Sequence, residues 1–165
     1  MATWAVLYLL GYSHGQIREV ILKFKGLAHR QEHILSTSNN ITFINDSKAT
    51  NADATIQALK AYDDIYLILG GMPKAGGIED LVPYFSKIRH VLLIGQAAEE
   101  FAQVFAQHNV SFTIEKTISH ALNFDFKQNS TVLLSPACAS FDQFENFEQR
   151  GNHFKDLVVQ RFSNI

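Results

Sequence analysis

The sequence has one cysteine, no excess of either charge, no long hydrophobic run and no internal repeat or low-complexity segment. A lone cysteine, Cys138, excludes an internal disulfide framework. Seven histidines are scattered outside any Cys/His ligand spacing, so no structural zinc pattern is present. Both observations fit a reducing cytoplasm. Fourteen Lys and Arg against 16 Asp and Glu give a net charge of −2, which leaves no basic field to hold nucleic acid. The apolar opening, residues 1–10, is too short to span a bilayer and lacks the basic flank and cleavage site of a signal peptide, so no membrane partner is expected. Neither a G-x-G-x-x-G fingerprint nor a G-x-x-x-x-G-K-[ST] P-loop occurs anywhere in the sequence.

What is present is 165 residues, 47% hydrophobic and 18% charged, enough for one domain with a sizeable core, or one domain plus a fragment of another. Residues 1–10 read as a helix that is apolar all round, which asks for cover on several sides. The sequence supplies no residues upstream to provide it, so the chain is expected to begin mid-domain. After the breaker cluster 11–15, Ile17, Val20, Ile21 and Phe24 mark one face of a second helix. A hairpin then joins strands near 32–36 and 41–44, and we place a domain boundary near Arg30. Apolar runs at 65–69, 91–94, 112–114 and 132–134 alternate with helical segments at about 52–62, 78–86, 97–108, 118–124 and 147–162. That alternation predicts an α/β domain with a mostly parallel sheet flanked by helices. In the last helix Phe147, Gly151, Phe154, Leu157, Val158 and Phe162 are expected to line one face, with Arg150, Lys155 and Gln160 elsewhere.

Open sheets of this class bind ligands beyond the carboxyl ends of their strands, so three polar loops, 45–51, 70–77 and 135–142, should open on one rim. The first lies at a strand-to-helix turn. The helix start together with Lys48, Ser47 and Thr50 makes an anion site there, and Asp46 can accept from a hydroxyl or a cation. The same residues read equally as a well-capped helix with Asn51 or Thr50 as N-cap. The second loop has four glycines and Lys74, a carboxylate or phosphate loop or a flexible turn. In the third, Ser140 either holds a carboxylate or caps a helix, and small neighbours suggest that Cys138 packs and does not act as a nucleophile.

Taken in order, Gly26-Leu27-Ala28-His29-Arg30, Asn45-Asp46-Ser47-Lys48-Ala49-Thr50-Asn51, the Gly70-Gly71 loop with Lys74, and Leu134-Ser135-Pro136-Ala137-Cys138-Ala139-Ser140-Phe141-Asp142-Gln143-Phe144 with Phe147-Glu148-Gln149-Arg150-Gly151 closely resemble the carboxy-terminal part of the Mur ligases, specifically the branch that adds D-glutamate. The resemblance covers essentially the whole chain, and the last motif is the most discriminating. It implies that residues 1–30 are the end of a central ATPase domain and that residues 31–165 form a Rossmann-like amino-acid-binding domain. It implies ATP and Mg2+ as cofactors, the metal held mainly by the central domain, and D-glutamate and UDP-N-acetylmuramoyl-L-alanine as substrates. Arg30 and Asp46 are expected to meet the nucleotide, and Lys48, Thr50, Lys74, Ser140 and Phe147 to form the D-glutamate pocket. The family's P-loop, metal-holding residues and UDP-binding domain have no counterpart here. The chain alone is therefore expected to be inactive, and residues 1–24 are expected to self-associate or to be disordered. The second reading is a stand-alone, non-catalytic module that binds a small carboxylate or a nucleotide.

Overall fold

A computed structural model describes residues 2–24 and 26–163 of the chain. Two helices, α1 (Ala2–Leu9) and α2 (His14–Lys23), come first; α2 starts early because Ser13 and Gln16 close a reciprocal capping box. The chain continues through β1 (Glu32–Ser36), β2 (Ile41–Asn45), α3 (Ala52–Ala61), β3 (Ile65–Gly70), a 3-10 segment (Glu79–Lys87), β4 (Ile88–Ile94), α4 (Ala98–Gln107), β5 (Phe112–Lys116), α5 (Ile118–Ala121), β6 (Ser130–Leu134) and α6 (Phe147–Phe162). The six strands form one sheet in the order β1-β2-β6-β3-β4-β5. β1 is antiparallel to β2 and every other pairing is parallel. Among the described residues no helix is long and apolar enough to cross a membrane.

Every residue of β3 is buried, as expected for a strand covered on both faces. Its side chains alternate between two cores. Ile65, Leu67 and Leu69 pack with Leu59 of α3, Leu81 of the 3-10 segment and Phe101 of α4, whereas Tyr66 and Ile68 pack with Ile118 of α5 and Phe154 of α6. β6 sits between β2 and β3 and sends the chain to the opposite face from theirs. Strand order reverses there, which opens the carboxyl ends of these three strands as the natural crevice.

Two expectations are corrected. Residues 79–87 are a 3-10 segment and not an α-helix, since Pro83 has no N–H to give and its ring would strike the carbonyl one turn back. α5 stops at Ala121 because the following turns carry Phe124 and Phe126 to the Tyr66 ring, with centroids 5.5 and 5.2 Å away. Helix α1 is largely uncovered, in line with the expectation that its cover is missing: Leu9 is 84% exposed and Val6 55%.

Candidate binding cleft

The β2–α3 turn is held by backbone geometry that its own polar side chains create. The Ser47 N–H donates to Asn45 Oδ1 (3.2 Å), the Asp46 N–H continues the β2/β6 ladder to the Leu134 carbonyl (2.8 Å), and Asn51 caps α3 by accepting from the Ala54 N–H (2.9 Å). Asn51, and not Thr50, is therefore the helix cap. The β3 loop is fastened to the β6 loop by a two-way bridge, Met72 N–H to Ala139 O (2.9 Å) and Ala139 N–H to Met72 O (3.1 Å). Gly71 makes this approach possible: at φ 135°, a Cβ there would lie 2.4 Å from the Ala139 carbonyl oxygen. On its far side the β6 loop is pinned by Asp142, which accepts from the Gln96 N–H in the turn before α4 (3.0 Å), and by Gln143, which donates to the Lys116 carbonyl (2.7 Å).

These fastenings bring Lys48, Thr50, Lys74, Ser140 and Phe147 together around one cleft of about 350 Å³. Lys48 and Thr50 are half-buried, Lys74 reaches in from the exposed β3 loop, and Ser140 is buried at 2% exposure. The Lys48 ammonium rests 3.6 Å from the centroid of the Phe147 ring, and the buried His29 meets that ring edge-on at 5.9 Å. Two lysines and one acidic residue, Glu148, thus line the cleft, with the exposed Phe141 completing the rim. The arrangement suits a small ligand with more than one negative group, since charge-assisted hydrogen bonds of this kind are worth roughly 1.5 to 3 kcal/mol each.

Arg30 and Asp46 lie outside this lining. Arg30 is exposed on the turn that leads into β1. Asp46 is buried at 6% exposure, accepting from the Ser135 hydroxyl (2.8 Å) and the Gln31 N–H (3.1 Å). Burial pushes its carboxyl up to about 6, against the lowering effect of Ser135, Gln31 and the Arg30 charge. Cys138 is fully buried and its thiol is pushed up to about 12 by burial, which suits a packing residue.

One residue beneath the cleft reverses its expected place. Arg150 belongs to the inner face of α6 and is 1% exposed. Its Nε donates to Ser47 Oγ (3.0 Å), Nη2 to the carbonyls of Ser47 (2.9 Å) and Cys138 (3.0 Å), and Nη1 to the carbonyl of Ala139 (3.2 Å). Ser47 Oγ in turn donates to the Phe147 carbonyl (2.8 Å). Burial lowers the guanidinium to about 10, so it stays protonated at neutral pH. Helical periodicity places a lone arginine on the solvent side; only the clustering of small residues and carbonyls around Ser47 and Cys138, distant in sequence, makes an inner position satisfiable. Asn45 was also unforeseen: its Nδ2 lies within 3.0 Å of His29 Nδ1 and 3.1 Å of Glu32 Oε2, tying the turn before β1 to the site.

The fold and cleft together define an α/β domain with a lysine-bearing cleft at the carboxyl ends of β2, β6 and β3. Residues 29–138 match the family model described as Mur ligase, glutamate ligase domain, and the chain belongs to that family. It is 46% identical over 164 residues to the UDP-N-acetylmuramoylalanine--D-glutamate ligase of Agrobacterium fabrum, covering 96% of this chain and 35% of that protein. The enzyme of the same name from Rickettsia felis is 44% identical over 171 residues, covering 99% and 38%. The chain therefore spans about a third of the length of these curated relatives. Among solved structures, UDP-N-acetylmuramate-alanine ligase MurC from Thermotoga maritima superposes with a TM-score of 0.70 over 94% of this chain and 36% of that one, at 14% identity, a likeness of fold.

Proposed function

We propose that this chain is the carboxy-terminal part of an ATP-dependent cytoplasmic ligase that adds D-glutamate to UDP-N-acetylmuramoyl-L-alanine in peptidoglycan synthesis, and that its own task is to receive and orient D-glutamate. The observation that supports this reading most is the convergence of Lys48, Thr50, Lys74, Ser140 and Phe147 in one cleft within a family named for glutamate ligation. A dicarboxylate needs cations and donors at two ends. Lys48 with Thr50 would take one carboxylate and Lys74 with Ser140 the other, leaving the amine directed out of the cleft. Holding the amine in one orientation removes translational and rotational freedom that a free amino acid would lose at the barrier.

ATP, when bound, supplies the phosphoryl group that activates the acceptor carboxylate. On this chain Arg30 and Asp46 would meet the nucleotide. Arg30 offers an exposed guanidinium for phosphate, and Asp46 uses two of its roughly four acceptor positions internally, which leaves room for a ribose hydroxyl. Among the described residues no three His, Cys, Asp or Glu side chains converge as a metal site.

The test is complementation. A polypeptide carrying the other two family domains, mixed with this chain, should release phosphate in a D-glutamate-dependent way. Lys74→Ala in this chain should lower that turnover at least tenfold while the far-ultraviolet spectrum stays unchanged. Association of the two polypeptides without phosphate release would overturn the ligase reading in favour of a non-catalytic binding module.

A further inference from the structure

Arg150 is a full positive charge with 1% exposure and, among the described residues, no ion pair with a carboxylate. Taking a guanidinium out of water without an anion is costly, so a buried arginine of this kind is retained where its planar fork does something a neutral side chain cannot. Four hydrogen bonds define what it does here. Two go to Ser47, adjacent to Lys48, and two go to the carbonyls of Cys138 and Ala139, adjacent to Ser140. The guanidinium itself is carried on the first turn of α6, three residues after Phe147, whose carbonyl is held by the same Ser47 hydroxyl. The three elements that supply four of the five cleft residues thus meet on one planar group, and through the Met72 and Ala139 bridge the fifth, on the Lys74 loop, is tied to it as well.

We propose that Arg150 is the positioning residue of the cleft: it sets the separation between the Lys48 wall and the Ser140 wall, and its charge, which forms no ion pair among the described residues, adds to the field that draws a dicarboxylate in. It touches no ligand itself. The proposal rests on the reading of the cleft as a D-glutamate site. A lysine at this position keeps the charge but presents its donors from a single atom, and cannot span Ser47, Cys138 and Ala139 at once.

The experiment is a titration of the 165-residue chain with D-glutamate, followed by the backbone amide resonances of Thr50 and Ser140. It would be run on the parent, on Arg150→Lys, on Ser47→Ala, and on Val158→Ala, a core truncation on the same helix that leaves the cleft intact. Arg150→Lys should weaken binding at least tenfold and Ser47→Ala severalfold, while Val158→Ala, although less stable to heat, should bind within a factor of two of the parent. If Arg150→Lys does not fold, Ser47→Ala decides. Equal affinity in the parent and in both cleft variants would overturn the positioning role and leave the D-glutamate reading standing, as would equal weakening by Val158→Ala. No response in the parent would overturn the D-glutamate reading instead. The positioning role is then decided by amide hydrogen exchange at Lys48 and Ser140, which Ser47→Ala and Arg150→Lys should accelerate at least tenfold and Val158→Ala should not accelerate preferentially; unchanged exchange would refute it.

Discussion

At Asp46 burial pushes the carboxyl from 3.8 up to about 6, so the folded chain holds a proton there that the unfolded chain has already lost between about pH 4 and 6. In that window the native state binds more protons, and stability must fall as pH rises through it and level off above. A shift of about two units corresponds to roughly 3 kcal/mol at about 1.4 kcal/mol per unit. Asp46→Asn, which cannot ionise, should remove this contribution. In urea unfolding at pH 4.5, 6 and 7.5, the parent should lose stability relative to the variant as pH rises, by on the order of 2 kcal/mol, since part of the window lies below pH 4.5. A parent and variant separated by the same amount at all three pH values would contradict the assignment. The two hydrogen bonds on Asp46 make the same residue a latch between the β1 turn, through Gln31, and the β6 loop, through Ser135.

The element that depends most on its neighbours is α6. Gly151 is an interior helix position where alanine would gain about 1 kcal/mol of helix propensity in isolation. Here a Cβ would lie 2.2 Å from His29 Nδ1, and that imidazole is buried and held against Asn45. Overpacking of about 1 to 3 kcal/mol outweighs the propensity gain, so Gly151→Ala should lower the thermal midpoint. His29→Ala introduced alongside it should recover part of the loss, because it removes the atom that clashes; a double variant no better than the sum of the singles would show that His29 is not the obstacle. The end of β2 and the turn after it, residues 44–51, show the same dependence. The capping half was legible from Asn51 and the helical pattern after it, whereas the way Ser47 serves both Arg150 and the Phe147 carbonyl, about a hundred residues away, was not.

For the whole molecule, the unbalanced feature is the α1–α2 hairpin. It buries Ile17 at 1% exposure yet presents Leu9 at 84%, Leu10 at 69%, Val20 at 63%, Leu22 at 73% and Phe24 at 65%. A groove of about 570 Å³ between the two helices is lined by Trp4, Leu7 and Phe24 among others. Contiguous apolar surface of this kind draws a partner. We predict that the isolated chain self-associates through it, with a sedimentation coefficient that rises with concentration, and that Leu9→Glu with Leu22→Glu returns it to a monomer. The complementing polypeptide of the proposed ligase should compete with the self-associated form; a parent chain that stays monomeric at high concentration would refute the prediction.

By itself the sequence determined the alternation of apolar strands and amphipathic helices, because periodicity follows from backbone geometry. It also determined the three polar loops, because in a mostly parallel sheet the turns after successive strands share one end. Lys48, Thr50, Lys74 and Ser140 in those loops, and Phe147 at the start of α6, could be singled out only through the resemblance of their motifs to a known family. Only the tertiary structure decided that β6 enters between β2 and β3, since those pairings join residues 89 and 66 positions apart through hydrogen bonds that no local pattern encodes. It alone placed Arg150 inside, because an arginine is turned inward only when carbonyls from elsewhere in the chain converge to receive its donors. It also left α1 exposed, because whether an apolar helix is covered depends on what packs against it.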